Sequence, residues 1–81
     1  MSEVTKELKS DLQKGLAELT TLRDEVRVKL HLAGMDLKDQ WNKLEPRVAE
    51  VEKKAAAEVS EVSRAALTDV IKKLIKLRAA I

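Results

Sequence analysis

Residues 19–44 read LTTLRDEVRVKLHLAGMDLKDQWNKL. Within this stretch Leu19, Leu22, Val26, Leu30, Ala33, Leu37, Trp41 and Leu44 recur at steps of three or four, the spacing of one helix face. Followed outward, the pattern falls into columns eleven residues apart. One column holds Leu22, Ala33, Leu44, Ala55, Ala66 and Leu77. Another, four residues on, holds Val26, Leu37, Val48, Val59, Val70 and Ile81. Val51, Val62 and Leu74 fill the ridge between them. Eleven residues in three turns is about 3.67 per turn, so such a ridge runs nearly straight or winds slightly to the right.

The expected fold class is therefore all-α: a long amphipathic helix or helices with an eleven-residue (hendecad) apolar repeat, assembling as a coiled coil or helical bundle. Toward the N-terminus the register loosens. Ser2 is the expected N-cap; Val4, Leu8, Leu12, Leu16 and Leu19 follow, but Asp11 and Gly15 also fall on the stripe. Val26 to Leu32 alternates apolar and polar, the period of a strand. Helix is the better reading, because a lone strand has no partner in this chain and the apolar columns cross the segment in phase.

Two places resist a straight rod. Gly34 followed by Asp36 reads as a helix end and a new start. Pro46 lacks a backbone donor and disfavours helical geometry at Glu45. A kink or turn is expected near Gly34 or Pro46. The chain then forms one helical unit over 1–81, with an N-terminal helix of about 3–33 and a C-terminal helix of about 36–81, or a single continuous helix. The stripe keeps phase across both breakers, which favours continuity. A full rod would be about 110–120 Å long at 1.5 Å per residue. Such a rod cannot cover its own ridge and needs a companion, most simply a second copy.

Composition points the same way. The chain is 44% apolar, yet it has one Trp and no Phe or Tyr, so its large apolar residues are mainly Leu, Val and Ile. Charged residues make up 37%, against two Gly and one Pro, a composition of long helices. The lack of cysteine excludes disulfides and thiolate chemistry. No apolar leader opens the sequence, and no run approaches the roughly 20 apolar residues of a membrane span. A cytoplasmic protein is expected.

Net charge is +2, but its distribution is uneven. Residues 64–81 hold five bases and one acid, whereas the two segments before them are nearly balanced. Opposite charges at i,i+4 recur in Glu25–Lys29, Asp39–Lys43, Glu50–Lys54 and Asp69–Lys73, each worth about 0.2–0.5 kcal/mol on a helix surface.

No constellation suggests catalysis. His31, the one histidine, has no orienting acid or nucleophile in a recurring motif, and the carboxylates sit at lysine-pairing distance. The reading is not an enzyme, with no catalytic, cofactor-binding or metal residues and no small-molecule substrate. Trp41 lies on the stripe as a core or interface anchor. Alanines 55, 56, 57, 65 and 66 suit close helix approach or simply favour helix. The expected self-association surface is Leu19, Leu22, Val26, Leu30, Leu37, Trp41, Leu44, Val48, Val51, Val59, Val62, Val70, Leu74 and Leu77.

The C-terminal segment adds a second candidate. Ala66, Leu67, Val70, Ile71, Leu74, Ile75, Leu77 and Ile81 cover about half of a helix circumference. Lys72, Lys73 and Lys76 take the other half, with Arg78 at the apolar edge. These four cations are the expected contacts to an anionic surface, although the same pattern also describes a core-facing helix with basic residues near its end. Nucleic acid is disfavoured, since the bases are few and no aromatic is placed to stack.

The eleven-residue amphipathic pattern over residues 19–81 resembles that of exchangeable apolipoproteins, and phasins and small bacterial coiled-coil proteins look similar. That resemblance implies helices lying on a lipid surface. The chain departs from the apolipoprotein pattern in having only Pro46 between repeats and in confining its basic bias to one end. The expected function is a non-enzymatic structural or interaction protein that self-associates into a homo-oligomer through a Leu/Val/Ala seam. The alternative is peripheral binding to anionic lipid or another helical protein, led by residues 66–81.

Overall fold

The computed structural model describes residues 2–81, with side-chain surroundings from Lys6 onward, so the capping side chain of Ser2 and the stripe position Val4 lie outside the described side chains. Three helices, α1 (Ser2–Lys29), α2 (Met35–Ala57) and α3 (Glu61–Ala80), pack together, and no strand occurs among the described residues. A single 3-10 turn, Leu30–Leu32, extends α1. The alternating segment from Val26 is thus helical, ending in that turn.

Ion pairs give the topology. Asp11 pairs with Arg64 at 3.1 Å, and two heptads further along both helices Glu25 pairs with Arg78 at 2.8 Å. α1 and α3 therefore run parallel in constant register. α2 runs against α1, because Arg23 meets Glu52 at 2.8 Å while Arg27 approaches Glu45 at 3.9 Å. The result is an up-down-up bundle 48 Å long and 15–16 Å across, not a rod of more than twice that length. The chain covers its apolar ridge by folding back on itself.

The core explains the folding back. Its buried residues step by three and four within each helix: Leu8, Leu12, Leu19, Leu22 and Val26 on α1; Trp41, Val48, Val51 and Ala55 on α2; Leu67, Val70, Leu74 and Leu77 on α3. Gly15, Leu44 and Ile81 occupy the missing steps and are partly covered. This is the seven-residue spacing of a left-handed bundle seam. A seven-residue and an eleven-residue period differ by one four-residue step, so short windows of sequence cannot separate them. Burying each large aliphatic side chain contributes about 1.5–3 kcal/mol, far above the i,i+4 charge pairs. Of the four expected pairs, Asp69–Lys73 forms at 3.2 Å, whereas Glu25 turns to Arg78 instead.

The expected C-terminal helix over 36–81 is divided. Glu58 is extended (φ −131°, ψ 119°) and ends α2. Ser60 then caps α3, its Oγ accepting from the Ser63 N–H at 3.1 Å. The break shifts the buried face by one position. Val62 is 63% exposed while its neighbour Ser63 is 1% exposed, and Val59 also faces outward. Val59 and Val62 therefore leave the expected seam, and Ser63 and Leu67 take their place.

Of the two places expected for a kink or turn, Pro46 does not interrupt its helix. α2 continues through Pro46 without a break. Pro46 and Asn42 are both exposed, so the Asn42 carbonyl that loses its helical donor faces water. The turn falls at Ala33–Gly34, the other expected place, between the 3-10 turn and α2.

Candidate functional site

The residues expected to form an association surface sort into three groups. Leu19, Leu22, Val26, Trp41, Val48, Val51, Val70, Leu74 and Leu77 are brought together in the bundle core. Leu30, Leu37 and Leu44 pack against that core while remaining partly open. Val59 and Val62 face outward at the α2–α3 connection. His31 is exposed in the 3-10 turn. Among the described residues no group of three or more His, Cys, Asp or Glu side chains is arranged to hold a metal.

Two parts of the bundle differ in how firmly they are joined. Along α1 and α3, a Cβ built on Gly15 would come within 2.5 Å of Leu67 Cδ2 and 3.2 Å of its Cγ. Leu67 thus fills the space that a side chain at position 15 would need, and the Asp11–Arg64 pair closes the same groove. At the α1–α2 turn the surroundings are open. A Cβ on Gly34 would meet nothing within 4 Å. Gly34 (φ −74°, ψ 173°) and Ala33 (φ −86°, ψ 152°) have ordinary extended backbones. Val28, Leu32 and Met35 stand exposed around this turn, Leu32 at 90%.

The cations expected to touch an anionic surface also separate. Arg78 bonds Glu25 across the α1–α3 contact and is partly buried. Lys72, Lys73 and Lys76 are exposed. Lys73 and Lys76 share a groove of about 410 Å³ with Leu77 of α3 and Gln40, Lys43, Leu44 and Arg47 of α2. Asp69 stands at its edge, 3.2 Å from Lys73 Nζ and 3.5 Å from Arg47 Nη2. Neither Lys43 nor Lys76 is in an ion pair among the described residues. The α1–α3 groove, by contrast, mixes Asp11 and Glu18 with Lys14, Arg64 and Lys72. Sequence reasoning missed Lys43 and Arg47 because they are distant in the chain. Their i,i+4 spacing on α2 was the available signal.

No helix among the described residues is long and apolar enough to cross a membrane. No protein-family model, curated protein or solved structure matches this chain.

Proposed function

We propose that this chain is a non-enzymatic cytoplasmic interaction protein that self-associates through its Leu/Val/Ala seam, by exchange of α1 between two copies. The observation that carries this reading is the phase of the apolar ridge across the turn. Leu22, Val26, Leu30, Ala33, Leu37 and Trp41 keep the sequence spacing of one helical face although the chain reverses between them.

The turn itself offers little resistance to straightening. The φ angles of Ala33 and Gly34 are already near helical values, so mainly their two ψ angles must change. Straightening joins α1 to α2 in one long helix. The ridge then advances through Leu22, Val26, Leu30, Ala33, Leu37, Trp41 and Leu44, two eleven-residue steps inserted between heptads. Two such helices lie antiparallel as a coiled coil, each α1 docking on the α2 and α3 of the other copy. The core contacts are reproduced between copies, the condition under which domain exchange is favourable. Leu30 and Leu37, half-open in the monomer, gain cover.

Sedimentation velocity over a range of concentrations, with circular dichroism in plain buffer, tests the reading. Gly34→Ala favours helix through the turn and should raise the dimer fraction at fixed concentration. Gly34→Pro suits the existing φ of −74° and favours the extended backbone of Ala33 that the turn already has, so it should lower the dimer fraction. A chain that stays monomeric as Gly34→Ala at every concentration would overturn the proposal.

A second reading, binding to an anionic lipid surface, draws support from the exposed Lys72, Lys73 and Lys76 beside Ile75, itself 39% exposed. Changing the three lysines to Glu should abolish co-sedimentation with anionic vesicles. Undiminished binding would remove this reading.

A further inference from the structure

The groove between α2 and α3 differs from a merely basic helix face. Four cations, Lys43, Arg47, Lys73 and Lys76, line it without a carboxylate, and Asp69 at its edge pairs with Arg47 and Lys73. Leu44 and Leu77 line it, and Leu77 is only 4% exposed. We propose that this groove binds a single-chain anionic amphiphile, a carboxylate or phosphate head on a short aliphatic tail, taken up as the free monomer. The proposal deepens the lipid reading and rests on the same basic face, but it assigns a defined cleft and adds two α2 residues.

The chemistry follows from the lining. Lysine stems are apolar along their length and carry charge only at the tip. A tail laid between the helices meets Leu44, Leu77 and those stems, while the head reaches the ammonium groups of Lys43 and Lys76. Arg47 and Lys73 already share Asp69, so the head's main partners are the two cations outside any ion pair. About 410 Å³ falls within the range of small-ligand sites, roughly 300–1,000 Å³, which combine apolar walls with a few polar groups. An inorganic anion would leave the apolar walls unused. The α1–α3 groove, of similar volume at about 430 Å³, lacks the cationic excess and fits such a ligand less well.

The probe is dodecyl phosphate below its micelle concentration, followed through the methyl resonances of Leu44 and Leu77. We expect saturable shifts at both leucines, at least tenfold weaker binding in Lys43→Glu/Lys76→Glu, and unchanged binding in Lys9→Glu, a cation on the exposed face of α1. Inorganic phosphate and dodecanol should each bind at least tenfold more weakly than dodecyl phosphate. Equal binding of inorganic phosphate would overturn the amphiphile assignment. Binding to anionic vesicles without binding of the monomer would overturn the cleft and leave the surface reading standing. Binding to neither would overturn both.

Discussion

Gly15 and Gly34 are the two glycines of this chain, and they mark opposite kinds of junction. At Gly15 the absence of a side chain lets α1 and α3 close on each other, with Leu67 seated where a Cβ would stand. At Gly34 nothing occupies the corresponding space, and the backbone is one that any residue adopts. One glycine is required by packing, whereas the other is only permitted by a turn. The parallel α1–α3 contact is therefore specified by shape. The α1–α2 reversal is specified by little beyond the burial it allows, and the proposed exchange of α1 rests on that.

The largest effects should fall in the shared core. Leu74→Ala should cost about 2–5 kcal/mol, the usual range for a fully buried leucine, read from chemical denaturation. The same truncation at Leu32, 90% exposed beside the turn, should change stability by no more than about 0.5 kcal/mol. If the two costs were alike, the placement of the core would be wrong.

The glycines sharpen the contrast at intermediate size. Gly15→Ala gains about 1 kcal/mol of helix propensity but overpacks the Leu67 contact at about 1–3 kcal/mol. A net loss of stability is expected, with Gly15→Ala/Leu67→Val recovering part of it. Gly34→Ala should leave monomer stability within about 1 kcal/mol of the parent while shifting the oligomer distribution. Ser60→Ala, which removes the α3 cap, should cost about 0.5–2 kcal/mol.

The smallest effect should come from the surface ion pairs. Arg47→Ala breaks a 3.5 Å contact to Asp69 between two half-exposed side chains. A change of about 0–1 kcal/mol is expected, weaker still at high salt. A larger loss would mean that the α2–α3 junction depends on charge and not on its leucines.

Helix content was legible in the sequence because Leu, Val and Ala at steps of three and four admit one periodicity. The core positions of α1 and the first part of α2 were legible for the same reason, as was Trp41 as an anchor. The second break was not read. Ala55, Ala56 and Ala57 invite helix, and the columns continue through Val59, so the ridge hides a change of phase. Ser60 followed by Glu61 was the available warning, since it puts a cap and an acid at a new helix start. Of the two breakers, Gly34 marked the turn that forms, whereas Pro46 does not end its helix, because an exposed proline leaves a carbonyl that water can satisfy. The self-covering bundle was missed because periodicity fixes which face is apolar but not whether its cover lies in the same chain. For the cationic groove, Lys73 and Lys76 were legible, whereas Lys43 and Arg47 became its other wall only once α2 folded against α3.

The most direct test uses a dimer of Gly34→Ala assembled from two differently isotope-labelled populations, with nuclear Overhauser contacts filtered for pairs on different copies. Exchange of α1 predicts an inter-copy contact between Gly15 and the Leu67 methyl groups. A dimer in which that contact occurs only within one copy would contradict the exchange of α1.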